Sequence, residues 1–91
     1  MQGRRVYPDE TGQLSFAPGD YGFDPKSGHW MAKCPGVNCH LGDLSAHSIV
    51  EHEDGTITVS PSILQNGPGP YHVPSFGTWH GYLERGVWRE C

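Results

Sequence analysis

Cysteine is scarce in this 91-residue chain, which has only three, so at least one cannot join an intramolecular disulfide. An odd, small number fits a reducing compartment and a metal site better than a disulfide framework. No run is long and apolar enough to span a membrane. The first residues also lack the apolar stretch of a secretory signal. These absences favour a cytosolic chain without membrane contact.

Basic residues are also few, six Lys and Arg against ten Asp and Glu, for a net charge of −4. The six are scattered along the chain, whereas affinity for a phosphate backbone needs many positive charges on one surface. Nucleic acid is therefore not the expected partner.

Apolar residues make up only 35% of the chain, while 13 Gly and 8 Pro favour turns. A small core with many turns usually gains its missing stability from a metal or a disulfide. Ten aromatic residues, three Trp, four Tyr and three Phe, supply most of the area that such a core buries.

Strand and turn signals dominate the sequence, and they predict a mostly β fold of antiparallel hairpins. The expected hairpins are 20–23 with 29–33 around a turn at 24–28, 48–53 with 56–60 around Asp54-Gly55, and 79–84 with 87–91 around Arg85-Gly86. Residues 40–48 are the only place for a short helical turn. Residues 61–64 (Pro-Ser-Ile-Leu) are expected to end the second strand of the second hairpin, and residues 65–77 form a long connection. We expect residues 1–19 to be an N-terminal arm, extended or frayed, and residues 20–91 to form one small β domain.

The register of the last hairpin places two metal-binding residue types side by side. A two-residue turn at Arg85-Gly86 pairs Leu83 with Trp88 and His80 with Cys91. Directly opposite residues share a sheet face, with Cβ atoms about 4.5–5.5 Å apart. That spacing suits two ligands of one tetrahedral ion.

Two further thiols lie upstream, where Cys34 and Cys39 flank the turn-forming residues Pro35 and Gly36. Three cysteines and one histidine complete a closed structural zinc site, so we predict zinc as the cofactor, held by Cys34, Cys39, His80 and Cys91. The alternatives are a Cys34–Cys39 disulfide or two ordinary cysteines. His40, next to Cys39, is a further candidate ligand.

Motifs of known catalytic sites are missing, including nucleophile elbows, phosphate-binding loops and dinucleotide fingerprints. The chain is therefore not expected to be an enzyme. One enzymatic alternative remains open, in which Cys91 does not bind and a zinc ion on the other three ligands keeps a position for water, as in zinc hydrolases.

Aromatic residues gather in the second half of the chain, and they allow two interpretations. Core packing is favoured, whereas a binding surface formed with the 65–77 connection is the alternative, since aromatic residues dominate interface hot spots. The candidates for that surface are Tyr71, Phe76, Trp79, Tyr82 and Trp88.

The pattern of motifs over about residues 30–91 resembles the DUF6527 family of small phage and prophage proteins. The matching segments are Cys34 to Cys39, 59–64 (Val-Ser-Pro-Ser-Ile-Leu), 79–82 (Trp-His-Gly-Tyr) and 86–91 (Gly-Val-Trp-Arg-Glu-Cys). The resemblance implies a phage protein with a Cys/His metal site at Cys34, Cys39, His80 and Cys91. This chain has a wider cysteine spacing than its relatives, and Trp79 where many have Cys.

Together these features predict a zinc-ribbon-like β domain that acts without catalysis, through protein–protein contacts in the cytoplasm of a host cell. Its expected target is a host or defence protein. The alternative is a virion component, such as a capsid decoration or tail-associated subunit, and self-association is compatible with either function.

Overall fold

The computed structural model describes all 91 residues and shows eight strands and no helix. The strands are β1 (Arg4–Arg5), β2 (Asp20–Asp24), β3 (His29–Lys33), β4 (Leu41–Asp43), β5 (Ser48–Glu51), β6 (Ile57–Gln65), β7 (Trp79–Glu84) and β8 (Val87–Glu90). They form two four-stranded sheets, β1-β2-β3-β4 and β5-β6-β7-β8, in which only the β1–β2 pair is parallel. The expected mostly β class is therefore confirmed, and the fold is all-β. The fold contains no helix long and apolar enough to cross a bilayer.

The three predicted hairpins are present, and their turns form for the expected local reasons. Gly28 has a φ of 75° and donates its amide to Asp24 O at 2.8 Å. Gly55 has a φ of 87°, and the Asp54 carboxylate accepts the amide of Thr56 at 3.0 Å. Such positive φ values suit glycine because it has no Cβ.

The prediction for residues 40–48 was only partly right. Residues 41–43 form β4 along the edge of β3, and Leu44 donates its amide to Trp30 O at 2.9 Å. Only a single turn follows, in which Leu44 O accepts the amide of His47 at 2.9 Å, and no helix forms. A glycine within a helix costs about 1 kcal/mol relative to alanine, and Gly42 instead lies opposite Ala32 in the sheet. Strand β6 runs through the predicted terminal residues 61–64 and ends at Gln65, after a register irregularity between Val59 and Ile63.

The core lies between the two sheets and is small. Its buried apolar residues are Tyr21, Ala32, Cys34, Cys39, Leu44, Ile57, Val59, Ile63, Trp79, Leu83 and Trp88. Buried residues alternate with more exposed ones along β7, and along β6 except at the exposed Pro61, where the register shifts, so one face of these strands points inward.

The first residues of the predicted arm pair with strands of both sheets. Met1 exchanges two backbone hydrogen bonds with Trp88, at 3.0 and 2.8 Å, and Gln2 bridges to Val87. Arg4 and Arg5 then form β1 beside β2. This segment covers the outer edge of β8 and reaches the other sheet within five residues.

Candidate functional site

The terminal hairpin has the predicted register. Leu83 pairs with Trp88 and Gly81 with Glu90, and the amide of Cys91 donates to His80 O at 3.0 Å. The turn residues Arg85 and Gly86 have φ values of 46° and 77°, as a tight turn of this kind requires. The backbones of His80 and Cys91 therefore lie opposite one another.

The side chain of His80 nevertheless lies on the outer face of the sheet. Trp79 is buried at 4% exposure, whereas His80 is exposed and its Nε2 lies 3.1 Å from Ser62 Oγ. Successive residues of a strand point to opposite faces. Because Trp79 fills the core, His80 faces away from it.

Cys34 and Cys39 lie on the core side, buried at 1% and 5% exposure and not joined by a disulfide. A methyl group at Gly36 would lie 2.9 Å from both Cys39 Sγ and Trp79 Cδ1, so the turn packs tightly against β7. Burial, and to a smaller extent the nearby Cys39, raise the pKa of the Cys34 thiol to about 12. Burial also raises the pKa of Cys39. Both side chains are thus neutral thiols at neutral pH.

The structure brings Cys34 and Cys39 together but does not bring them to His80 or to Cys91, which is exposed. No group of three or more His, Cys, Asp or Glu side chains is arranged to hold a metal ion. The four-residue zinc site is therefore not shown, because β7 presents Trp79 rather than His80 to the two thiols. The zinc ion itself stays a prediction.

The five aromatic candidates for a binding surface separate into core and surface residues. Trp79 and Trp88 are buried and form an edge-on pair with ring centroids 5.3 Å apart. Tyr82 is half-buried on the outer face beneath the Arg89 guanidinium, 4.6 Å from the ring centroid. Tyr71 is 93% exposed and Phe76 is also exposed. Only these last two remain as an exposed aromatic surface.

Tyr71 and Phe76 belong to the connection 66–78, in which the side chain of Asn66 makes the largest set of hydrogen bonds. Asn66 Nδ2 donates to Val73 O and Phe76 O at 2.9 Å each, and to Gly77 O at 3.3 Å. Asn66 Oδ1 accepts the amide of Val73 at 2.8 Å. A single amide group thus joins both ends of the connection.

The same connection is held against the cysteine turn. Gly77 donates its amide to Asn38 O at 3.0 Å, and Asn38 Nδ2 donates to Ser75 O. The ring of His40 packs on Phe76 with centroids 5.0 Å apart. An open groove of about 890 Å³ lies between residues 35–38 and 74–78, with Trp79 and Trp88 among its lining residues.

Exposed apolar side chains of the connection 66–78, of the cysteine turn 35–38 and of the neighbouring β6 make up what we term the apolar loop surface. Its members are Val37, Leu64, Tyr71, Val73 and Phe76. No Lys, Arg, Asp or Glu occurs between residues 65 and 78. The sequence identified Tyr71 and Phe76 but not the role of Asn66, for which the only local signal is the turn-forming pair Asn66-Gly67.

The fold and this surface define a small two-sheet β protein with an ordered, uncharged loop exposed to solvent. No family model, curated protein or solved structure matches the chain.

Proposed function

We propose that this chain is a non-enzymatic binding protein that contacts a partner protein through the apolar loop surface. The observation that carries the proposal is the set of hydrogen bonds from Asn66, which holds an exposed, apolar segment in one conformation. A loop already ordered before binding loses less conformational entropy in the complex. Because Asn66 orders the connection 66–78 from within, we infer that this connection recognises a partner and does not merely join two strands.

The chemistry of the surface also supports a protein partner. Tyr71 at its tip is almost fully exposed, and an exposed aromatic side chain is a typical anchor of protein interfaces. Val37 and Phe76 line one groove and Leu64 and Tyr71 line another, and exposed apolar surface on a small protein often marks an interaction site. The connection carries no charged residue, which matches the depletion of charge at interface centres.

The cysteines give little support to an enzymatic alternative. The raised pKa of Cys34 leaves its thiol neutral, whereas a nucleophilic cysteine acts as the thiolate. Both Cys34 and Cys39 are also buried, which keeps them from substrate. Among the basic residues, Arg4, Arg5 and Arg89 are engaged in ion pairs with acidic side chains, which does not favour nucleic-acid binding.

The resemblance to small phage proteins directs the search for the partner to two sources. In the first, the partner is a host or defence protein in the cytoplasm of the infected cell. In the second, the chain is a virion component and the partner is another subunit of the particle. Both use the same surface, and purified particles distinguish them because only a virion component co-purifies with them.

The proposal is tested by affinity capture with loop variants. Tyr71→Ser and Phe76→Ser, separately and together, remove apolar area from the surface, and Val50→Ser on β5 removes a comparably exposed apolar side chain elsewhere. A partner that the unmodified chain captures should bind the double variant about 30-fold more weakly, as expected when an anchor worth about 2 kcal/mol is lost. Equal binding by the loop variants, or an equal loss with Val50→Ser, contradicts the proposal.

A further inference from the structure

Asn66 is followed by Gly67, and this pair of residues is chemically reactive. The backbone nitrogen that follows an asparagine can attack Cγ of its side chain and close a cyclic imide, a succinimide. Glycine in the second position favours this attack, because it has no Cβ to hinder the approach. The only other asparagine, Asn38, is followed by Cys39, whose side chain hinders the same reaction.

The two reacting groups of this pair are bound differently in the fold. Both residues are half-buried, so solvent reaches them in part, and the amide of Gly67 makes no hydrogen bond. The amide of Asn66, in contrast, is fully engaged. Its Nδ2 donates to three carbonyl groups of the connection, and its Oδ1 accepts one backbone amide; the partners are Val73, Phe76 and Gly77. The nucleophile is therefore free, whereas the group that it attacks is held.

Ring closure competes with these hydrogen bonds. A bond forms between Gly67 N and Asn66 Cγ, and the bond between Cγ and Nδ2 breaks. The proton of the Gly67 amide goes to Nδ2, which leaves as ammonia. Because Nδ2 is the donor to the three carbonyl groups, the succinimide cannot keep these bonds. The reaction therefore proceeds from an opened form of the connection 66–78, and the closed form slows it.

The products cannot restore the original contacts. Water opens the succinimide at one of its two C–N bonds, which gives aspartate or isoaspartate at position 66. Neither product has the NH₂ group of asparagine, and both carry a new carboxylate, which only accepts hydrogen bonds. In isoaspartate the main chain also gains a methylene group. That insertion displaces the backbone at position 66, where the Asn66 carbonyl accepts the Thr78 hydroxyl at 2.7 Å.

We propose that Asn66 is a deamidation site, and that its conversion to aspartate or isoaspartate irreversibly releases the connection 66–78 from its ordered conformation. The only co-reactant is water, and the only product released is ammonia. The reaction also places a negative charge in a segment that otherwise has none. The consequence for partner binding rests on the proposed function, since the apolar loop surface loses its order, whereas the reaction itself does not depend on it.

The reactivity of the site is measured by peptide mapping and mass spectrometry during incubation at mildly alkaline pH. In urea, Asn66 should deamidate much faster than Asn38, which serves as the internal reference. Without urea the conversion of Asn66 should be at least about tenfold slower, because the hydrogen bonds of its amide must first break. Gly67→Ala should slow the conversion in urea, where the contact of the added methyl group with Leu64 no longer matters.

The structural effect is measured with Asn66→Asp, which reproduces one product directly. Native-state hydrogen exchange of residues 73–78 should be faster in this variant than in the unsubstituted chain. Asn38→Asp is the matched control, because it adds the same charge at a residue with a similar positive φ, 56° against 54°. The Nδ2 atom of Asn38 donates only to Ser75 O, so this control should accelerate exchange less.

Four results would overturn the proposal. They are an absence of conversion in urea, equal rates for Asn66 with and without urea, unchanged hydrogen exchange in Asn66→Asp, and an equal acceleration by Asn38→Asp. Failure of the proposed function is recognised separately with Tyr71→Ser and Phe76→Ser, which leave Asn66 in place. If these two variants capture the partner normally while Asn66→Asp still opens the connection, the proposed function fails and the deamidation site stands.

Discussion

Arg5 connects the two sheets, because it lies in β1 of one sheet and contacts the β5–β6 hairpin of the other. Replacing it tests how much this contact stabilises the fold. Its Nη1 lies 2.6 Å from Glu51 Oε2 and 3.0 Å from Gly55 O, both on the hairpin formed by β5 and β6. Its guanidinium lies 4.9 Å from the ring centroid of Tyr7 and 4.8 Å from that of Trp30. One group thus makes an ion pair, a carbonyl contact and two aromatic contacts.

The effect of Arg5→Met can be worked out from these contacts. A hydrogen bond from a charged group contributes about 1.5–3 kcal/mol, and each cation–π contact contributes about 0.5–1 kcal/mol. The ion pair adds at most about 1 kcal/mol, because the Glu51 side chain is 53% exposed. These losses are partly offset, because Nε of Arg5 is buried without a hydrogen-bond partner. It destabilises the unmodified protein by about 1–3 kcal/mol, and the substitution removes it. We expect a net loss of about 2 kcal/mol.

Urea unfolding followed by tryptophan fluorescence measures this loss as a lower midpoint with an unchanged slope. The matched variant Glu51→Gln removes only the ion pair and should cost less than about 1 kcal/mol. If Glu51→Gln costs as much as Arg5→Met, the ion pair dominates and the assignment to the carbonyl and ring contacts is wrong. An Arg5→Met protein as stable as the unmodified chain would refute the claim that Arg5 stabilises the association of the two sheets.

Four further predictions concern single sites. Trp88→Phe removes the 2.9 Å hydrogen bond from Nε1 to Gly19 O and should lower the unfolding free energy by about 1–3 kcal/mol in the same urea assay. Asn66→Ala should leave the fold intact but accelerate hydrogen exchange in residues 73–78, and an unchanged rate would contradict its organising role. Because the pKa of Cys34 is raised from 9.0 to about 12 on folding, its contribution to stability is full below pH 9 and is lost as the pH rises toward 12. Urea unfolding of the unmodified chain and of Cys34→Ala at several pH values checks this. A difference in unfolding free energy between the two proteins that does not change with pH would contradict it. His80→Ala should cost less than about 1.5 kcal/mol, since only the contact with Ser62 is lost, whereas a large loss together with one zinc per chain in elemental analysis of the unmodified protein would establish His80 as a ligand.

The positions of the hairpins were predictable because turn residues mark them. Around Asp54-Gly55 only Gly55 has a positive φ, and Glu51 pairs with Ile57, so three residues, 53–55, connect His52 and Thr56 instead of two. In the last hairpin, Arg85 and Gly86 both adopt positive φ in a two-residue turn, and the predicted register follows from that turn. The opposition of His80 and Cys91 therefore came from local information alone.

The face on which His80 lies was also encoded, but in a different signal. Trp79 and Leu83 alternate with His80 and Glu84, and this alternation directs the two apolar side chains into the core. The predicted zinc site requires His80 to face the two thiols, which this alternation does not allow. Cys34 and Cys39 could not be placed relative to β7 from the sequence, because that contact joins segments about forty residues apart.

The role of Asn66 was not predictable for a related reason. Its amide reaches carbonyl groups seven, ten and eleven residues ahead, and none of these contacts repeats with the period of a strand or a helix. Periodicity identifies elements, whereas a connection of this kind is organised by one side chain whose partners are set by the path of the whole loop.

The pairing of Met1 and Gln2 with β8 has a consequence for how the molecule is made. During synthesis these residues leave the ribosome long before Trp88 and Val87, so their hydrogen bonds must wait until the last hairpin has formed. Until then the opening segment has no completed partner edge, and it is available to a neighbouring chain. Exchange of such a segment between two copies is a known route to swapped dimers. Refolding at high protein concentration is therefore the condition in which this protein is most exposed to misassembly.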